Sequence, residues 1–281
     1  MLIKICGTVS PHCHGNKNCP GFLIKEKDTK VLLDCGNGVT RQLNMEEDLE
    51  NLTIIISHLH KDHYGDLLSL AYTSFVHHNL GLLNKKIKVY LPKPNYKLEE
   101  ATYINLANKK VTRVLEPTIN DYNYLTNLGK EQYLEFETYD ENTKLKLKDL
   151  ELTFARNPHQ VNTYSTKVTT KSNNIVYSAD TGYHGNILEE FAKNTDLLIC
   201  DATYLREHHR GEDNHLYAYE AGLIADKAHP QKLLLTHFWP NIAKERYLKE
   251  AQETFPSAEV AHEGKVLKLE RRNINDWPTY P

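Results

Sequence analysis

One short stretch, Ser57-His58-Leu59-His60-Lys61-Asp62-His63, limits the possible fold more than any other part of the sequence. It follows the apolar run 52–56, which is rich in β-branched residues and typical of a buried strand. Apolar residues at 67–71 come next and predict the start of a helix. Because open α/β sheets carry their reactive groups at the carboxyl ends of strands, we expect three histidines and one aspartate at that edge of an α/β sheet.

The spacing within this stretch indicates a metal site. Imidazole and carboxylate are ligands of zinc and of its neighbours among the transition metals. His58 and His60 are two residues apart, so in an extended turn their rings point the same way, whereas Asp62 and His63 follow a bend and point to a second position. One loop can thus start a two-metal site, which makes a bridging hydroxide at neutral pH and stabilises both oxygens of a displacement at phosphorus. The alternative is a histidine-rich surface turn, which the motif spacing disfavours.

The pattern H-x-H-x-D-H after an apolar strand resembles the main motif of the metallo-β-lactamase-fold hydrolases. Three later residues resemble the single-residue motifs of that family, in the same order: His159 in Asn157-Pro158-His159, Asp180 in Ser178-Ala179-Asp180-Thr181-Gly182, and His237 after an apolar strand. The resemblance extends over residues 1–269. It implies a four-layer αββα sandwich, which also fits the predicted order of strands and mixed strand–helix units in two halves.

The resemblance also implies seven metal ligands in two sets that share one carboxylate. The first set is His58, His60 and His159, the second set is Asp62, His63 and His237, and the shared ligand is Asp180. An aspartate can bridge because its carboxylate has two oxygens. The implied cofactors are two divalent metal ions, namely zinc, with manganese as the alternative. The aspartate of the family's first motif resembles Asp34, for which we expect a role in tying loops together by hydrogen bonds.

Two residues are candidates for catalysis, Asp62 and His215. Within the superfamily, the chain is most similar to the ribonuclease Z-like branch, through Asp201-Ala202-Thr203, then His215, then a helix and Leu-Leu-Leu-Thr-His. A histidine at the place of His215 assists catalysis there, as a proton donor or as a stabiliser of phosphoryl oxygens. Threonine is common two residues later in that branch, whereas this chain has Tyr217. The alternative for His215 is a solvent-facing histidine at a helix start.

The substrate expected from these features is a small phosphodiester, such as a nucleotide or a short oligonucleotide. Members of the branch that process tRNA carry a long arm between the third histidine and the bridging aspartate, whereas only 20 residues separate His159 from Asp180. The formal net charge of −3 disfavours long nucleic acid. Two alternatives remain open: hydrolysis of a lactone or thioester, and a metal-binding regulatory protein without catalysis.

Length and composition add weaker expectations. We expect one domain over residues 1–281, with 40% hydrophobic residues for its core. No run of 18 apolar residues predicts a membrane span, and the start of the chain predicts a strand rather than a signal peptide. With five dispersed cysteines, the expected location is the cytoplasm, and a homodimer is the expected assembly if the chain associates.

Several segments carry less specific predictions. The loop with His12, Cys13, His14 and Cys19 matches no standard zinc pattern, and His184, His208 and His209 are candidates for the mouth of the cleft. Good helix formers predict a helix over residues 96–110, inside a region, 95–135, that would form a lid or a dimer surface or simply pack against the fold. Alternating residues predict one strand over 145–154 that leads to His159.

Overall fold

The structure, a computed structural model, describes most of the chain. It covers residues 1–94, 99–104, 110–115, 118–131, 133–208 and 214–270. For residues 99–104 and 110–115 the description is of the backbone. Strands and helices are numbered along the chain.

Within the described residues, seven strands form the first sheet. Their order is β16 (Val266–Lys268), β1 (Leu2–Gly7), β2 (Gly21–Glu26), β3 (Thr29–Leu33), β4 (Leu52–Ile55), β5 (Ile87–Pro92) and β8 (Leu134–Tyr139). The strands from β16 to β3 pair antiparallel, and the strands from β3 to β8 pair parallel. All four residues of β4 are buried, as expected for a strand covered on both faces. The loop after β4 therefore starts at the carboxyl end of a central parallel strand.

Seven further strands in the described part of the chain form the second sheet. Their order is β15 (Glu259–Val260), β14 (Leu233–Thr236), β13 (Leu197–Asp201), β12 (Asn174–Tyr177), β11 (Tyr164–Thr169), β10 (Leu150–Arg156) and β9 (Lys144–Leu147). The strands from β12 to β15 pair parallel, and those from β9 to β12 pair antiparallel. Consequently β10, β12, β13 and β14 all run in one direction, and their carboxyl ends lie at one edge of the sheet.

Helices cover the outer face of each sheet. They are α1 (Met45–Asp48), α2 (Lys61–Tyr64), α3 (Leu67–Asn79), α4 (Ile119–Glu131), α5 (Ile187–Phe191), α6 (Ala218–Ala228) and α7 (Lys244–Ala251). Leu70 of α3 and Leu125 of α4 share a buried cluster with Ile54 of the first sheet. Ile224 of α6 does the same with Leu235 of the second sheet. Within the described residues, no helix is both long enough and apolar enough to cross a membrane.

The two sheets face each other across a common apolar cluster. Phe22 of the first sheet packs on Tyr177 of the second with ring centroids 5.1 Å apart, and Ile5 and Ile199 belong to the same cluster. Burial of such side chains is the main favourable contribution to folding. The order helix, sheet, sheet, helix confirms the predicted four-layer αββα sandwich. The assignment of residues 1–281 to one domain stays a prediction.

Two element predictions are wrong. The region predicted as a helix over 96–110 contains the strand β6 (Glu99–Ile104), which pairs antiparallel with β7 (Lys110–Leu115). Helix propensity is a weak prior, and the β-branched residues in these two strands favour extended backbone once the strands pair. The strand predicted over 145–154 is a hairpin, in which Leu147 and Leu150 pair across the turn between β9 and β10. The region predicted as a lid or dimer surface also contains α4.

Candidate metal centre

The loop after β4 places its polar side chains at the edge where the carboxyl ends of the parallel strands lie. Ser57 to His60 precede α2, which begins at Lys61, so the chain bends between His60 and Asp62 as predicted. His58 and His63 are fully buried, whereas Asp62 retains 11% side-chain exposure. The site is therefore a partly open cleft with two of its histidines at the base.

A first group of side chains surrounds one oxygen of Asp180. The Oδ2 atom lies 3.4 Å from His58 Nε2 and 3.9 Å from His159 Nε2. His60 Nδ1 lies 2.9 Å from His58 Nε2 and 3.3 Å from His159 Nε2. The four side chains of the first predicted set, counting Asp180, thus converge on one point, although His159 is 99 residues from His60 in the chain.

A second group surrounds the other oxygen of Asp180. The Oδ1 atom lies 3.3 Å from His63 Nε2 and 3.1 Å from His237 Nε2. Asp62 Oδ2 lies 3.7 Å from each of these two nitrogens. All seven residues named from the sequence as metal ligands are therefore brought together, with the carboxylate of Asp180 between the two groups.

The polar atoms of this cluster fit metal ions better than they fit one another. Asp180 Oδ1 is buried and has no hydrogen-bond partner within the part of the chain that the structure describes. The facing nitrogens and oxygens are 2.9–3.9 Å apart, close to the separation of about 3.4 Å between neighbouring donors that a tetrahedral zinc site requires. Histidine nitrogen with carboxylate oxygen is a donor set that suits zinc and related divalent metals.

Hydrogen bonds on the far side of the rings orient four of the five histidines. His63 Nδ1 lies 2.7 Å from a carboxylate oxygen of Asp34, and His159 Nδ1 lies 2.8 Å from the carbonyl oxygen of Asn214. Because these oxygens can only accept, both rings carry their proton on Nδ1. The lone pair on Nε2 is then directed into the cluster, which is the arrangement that metal-binding histidines usually show.

The other two rings are oriented through hydroxyl groups. Thr203 Oγ1 donates to Asp201 at 2.6 Å, so it accepts from His237 Nδ1 at 2.7 Å. Ser57 Oγ donates to Asp34 at 2.8 Å and accepts from His58 Nδ1 at 3.0 Å. The hydroxyls therefore extend the same protonation pattern to His237 and His58.

Asp34 has the structural role predicted for it. It accepts from the backbone N–H of Ser57 at 2.7 Å and from the hydroxyl of Tyr177 at 2.7 Å, so it joins both sheets behind the cluster. Asp34 and His237 adopt φ of 59° and 65°, and Ala179, next to Asp180, adopts 52°. Non-glycine residues with positive φ are uncommon, and such strained positions cluster at functional sites.

Charge balance in the cluster favours ionised carboxylates. Burial by itself would raise the pKa of Asp180, but the imidazoles of His237, His63 and His58 hold it well below its usual range. Burial lowers the pKa of His60 to about 3 and lowers that of His159 well below its usual range. These rings are neutral and keep the lone pairs that metal binding requires.

His215 lies beside the cluster and contacts Asp201. Its Nδ1 is 3.0 Å from Asp201 Oδ2 and 3.9 Å from Asp180 Oδ2, and its ring stacks on His237 at 5.2 Å. Burial opposes protonation, but the two carboxylates raise the pKa of His215 to about 9. With 17% of its side chain exposed, His215 borders the cleft rather than facing solvent at a helix start.

The structure also adds one supporting residue, Ser10, and places the cysteine loop and His208 outside the metal cluster. Ser10, which the sequence did not single out, donates to Asp62 Oδ2 at 2.7 Å, although its place in the long first loop was a possible signal. Cys13 donates to the Asn37 carbonyl, and the described residues form no metal group that includes the cysteine loop. His208 stacks on Trp239 at 5.2 Å, and His209 lies outside the described residues.

Comparison with known sequences agrees with the motif pattern. Residues 29–238 match a family model described as a beta-lactamase superfamily domain. A Bacillus subtilis protein named "Probable metallo-hydrolase YhfI" is 25% identical over 256 residues, which cover 91% of this chain and 94% of that protein. A ribonuclease Z of Saccharolobus solfataricus is 26% identical over 286 residues, which cover 92% of this chain and 96% of that enzyme.

Comparison with solved structures agrees with the architecture. The crystal structure of YhfI, described as a metallo-beta-lactamase fold protein, matches with a TM-score of 0.77 at 24% identity, over 95% of this chain and 98% of that one. The short form of human tRNase Z matches with a TM-score of 0.69 at 17% identity, over 96% and 100%. At these identities the likeness shows a shared fold, and the αββα sandwich is that fold.

Proposed function

Because the chain belongs to the beta-lactamase superfamily, we propose that it is a dinuclear metal-dependent phosphodiesterase that acts on a small nucleotide or a short oligonucleotide. The observation that carries the proposal is the position of Asp180, whose two oxygens each face a separate histidine group at 3.1–3.9 Å. A carboxylate in this position would suit two cations, because it has one oxygen available for each of them.

The two metal ions would be bound by the two groups described above. Zinc is the proposed metal, with manganese as the alternative, because the donors are imidazole nitrogen and carboxylate oxygen. When bound, the ions would supply Lewis acidity toward a phosphoryl oxygen and would lower the pKa of water enough for attack at neutral pH.

Two side chains of the chain itself would then handle protons and orientation. Burial by itself would raise the pKa of Asp62, but His63 and His237 hold it well below its usual range, so its carboxylate is an ionised acceptor that can orient the attacking water. His215, held through Nδ1 by Asp201, would donate a proton to the leaving oxygen. These are the two residues proposed as catalytic.

The small size of the proposed substrate follows from the segment between His159 and Asp180. This segment consists largely of β11 and β12, which are paired from Thr166–Tyr177 to Thr169–Asn174 across a short turn. A compact hairpin occupies the place at which tRNA-processing members of the branch carry an arm. The substrate would therefore be held close to the cleft, without a long duplex contact.

A model diester tests the proposal. We expect the purified chain to release nitrophenolate from bis-p-nitrophenyl phosphate, and we expect a chelator to abolish this activity. His60→Ala and Asp62→Ala should each abolish turnover, whereas the matched control His262→Ala, at an exposed histidine, should retain it. Unchanged turnover in either of the first two variants would overturn the proposal.

The same assay separates the rival activities. A panel that includes lactones and thioesters distinguishes hydrolysis at carbon from hydrolysis at phosphorus. Tight metal binding with no turnover of any member of the panel would instead support a regulatory metal-binding protein.

A further inference from the structure

Three aromatic side chains, Tyr204, Tyr217 and Trp239, form a continuous surface next to His215, here named the aromatic wall. The ring centroid of Tyr204 lies 5.7 Å from that of His215, with the planes at 88°. It also lies 5.6 Å from Tyr217 and 6.2 Å from Trp239. The wall therefore begins at the proposed proton donor and extends outward, with Tyr204 as its central ring.

The wall is held by the same strands that position the site. Tyr204 follows β13 closely and pairs with Tyr217 in an isolated bridge, in which its backbone carbonyl accepts from Ala218 at 2.8 Å. Trp239 is two residues after His237, and its backbone N–H donates to the hydroxyl of Tyr247 at 3.3 Å. These bonds fix the backbone that carries the rings, and the contacts between the rings restrict their side-chain rotation, so little conformational entropy would be lost on binding.

The rings of the wall are half-buried, whereas their apolar neighbours in the chain are not exposed. Leu205, directly after Tyr204, is 1% exposed, and Phe238, directly before Trp239, is 0% exposed. Tyr204, Tyr217 and Trp239 each retain partial exposure. Leu205 and Phe238 thus lie in the core, whereas the three amphipathic rings of the wall lie at the edge of the cleft. Such rings offer a large apolar area with a polar end, which suits ligand contact.

Tyr217 adds a third ring to the wall. Its ring centroid lies 5.6 Å from that of Tyr204 and 5.8 Å from that of Tyr219. The wall is therefore wider than Tyr204 and Trp239 alone would make it.

We propose that the aromatic wall binds the base of a nucleoside-containing phosphodiester by stacking, while the scissile phosphoryl group lies at the cluster around Asp180. This inference rests on the proposed function and specifies its substrate class. His208 already stacks on Trp239 at 5.2 Å, so a base would stack on Tyr204 and extend this existing stack at Trp239. Every nucleobase presents a π face, so such stacking selects bases over base-free diesters without selecting one base. Loss of one stacking ring weakens affinity by about 5- to 150-fold.

A pair of substrates that differ only in the base tests the wall. We would compare adenosine 2′,3′-cyclic phosphate with methyl riboside 2′,3′-cyclic phosphate, which has the same diester and no base. Trp239→Ala and Tyr204→Ala should each lower kcat/KM for the adenosine substrate by about 5- to 150-fold. The loss should come mainly from a higher KM, because a contact made equally in the bound ground state and in the transition state changes binding and not kcat. The same variants should leave kcat/KM for the base-free substrate within about 2-fold.

A conservative variant and a distant variant serve as controls. Trp239→Phe, which keeps a ring, should retain most of the preference for the adenosine substrate. Tyr72→Ala, at a ring on α3 that is 61% exposed, should change neither substrate. An equal loss on both substrates in Trp239→Ala and Tyr204→Ala would overturn the proposal, because the rings would then only support the site. No loss on either substrate would overturn it as well.

A binding measurement separates this inference from the proposed function. In a Trp277→Phe background Trp239 is the remaining tryptophan, because the sequence contains two. Adenosine 5′-monophosphate should quench its fluorescence, ribose 5-phosphate should not, and Tyr204→Ala should weaken the adenosine affinity by about 5-fold or more. Quenching without hydrolysis of any diester would refute the proposed function and keep the wall as a base-binding surface. Hydrolysis of diesters without quenching or base preference would refute the wall alone.

Discussion

The carboxylate of Asp34 lies 2.7 Å from Nδ1 of His63, on the side of the ring that faces away from the metal cluster. Asp34 is fully buried and joins this ring to Ser57 and Tyr177 by further hydrogen bonds. A residue that is not itself in the cluster thus determines how His63 presents Nε2.

Asp34→Asn should weaken metal binding while leaving the chain folded. Asparagine tolerates the positive φ of this position, but its amide removes the negative charge that favours the Nδ1 proton of His63. We expect about a 10- to 100-fold loss of metal affinity, as for other residues that orient metal-binding histidines. Competition with a coloured chelator measures this loss. Asp28→Asn, at an exposed carboxylate, is the matched control and should bind metal normally.

Asp180→Asn should reduce the number of metal ions bound. The substitution removes the charge that lies between the two histidine groups, at 3.1 Å from His237 and 3.4 Å from His58. We expect metal content, measured by elemental analysis, to fall below two ions per chain and turnover to fall by on the order of 100-fold or more. Two tightly bound ions in this variant would contradict the bridging role.

His215→Ala should reduce turnover without removing metal. Its Nδ1 approaches the cluster only at 3.9 Å from Asp180, while its closer contact is with Asp201. Loss of a general acid lowers the rate by about 100- to 10,000-fold. The loss should be smaller for bis-p-nitrophenyl phosphate, whose leaving group needs no proton, than for a nucleotide diester. An equal loss on both substrates would argue that His215 stabilises phosphoryl oxygens instead.

The metal-free chain should lose stability as the pH falls from about 6.5 to about 5. Burial lowers the pKa of His60 to about 3 and that of His159 well below its usual range, so these two rings stay neutral in the folded chain, whereas the unfolded chain protonates them below about 6.5. The unfolded state then binds more protons, and the free energy of unfolding falls by about 1.4 kcal/mol per pH unit for each such proton.

Other groups of the cluster do not reverse this sign. Carboxylates raise the pKa of His63 and of His215 against the effect of burial, so in the metal-free folded chain both rings also hold a second proton, which a metal ion would displace from His63 Nε2. The unfolded chain binds the same protons as the pH falls below about 6.5, so the opposing contribution of these two rings is largest near pH 6.5 and disappears toward pH 5. Urea unfolding with a chelator present, at both pH values, measures the effect, and His60→Gln should reduce the slope. A free energy of unfolding that is constant or rises toward pH 5 would contradict the prediction.

The local sequence pattern was sufficient to predict a strand where a continuous apolar run determined the structure. The apolar run before Ser57 predicted β4, and the apolar run before His237 predicted β14, because residues buried on both faces leave few alternatives. The helix prediction for residues 96–110 was wrong because no single local feature determines the structure there. The backbone of this region forms strands through the pairing of β6 with β7, and that pairing is not visible in the helix propensity of either segment alone.

The sequence by itself determined the first half of the cluster, because His58, His60, Asp62 and His63 lie within six residues and one bend separates their two directions. It also supplied, through the resemblance, an ordered set of later candidates among 15 histidines. Only the tertiary structure decided that His159, Asp180 and His237 meet this loop, and that Tyr204 and Trp239 border it. The physical reason is that β10, β12, β13 and β14 must align in one sheet, packed face to face on the first, before their carboxyl ends share an edge. Sequence separation carries no information about that distance.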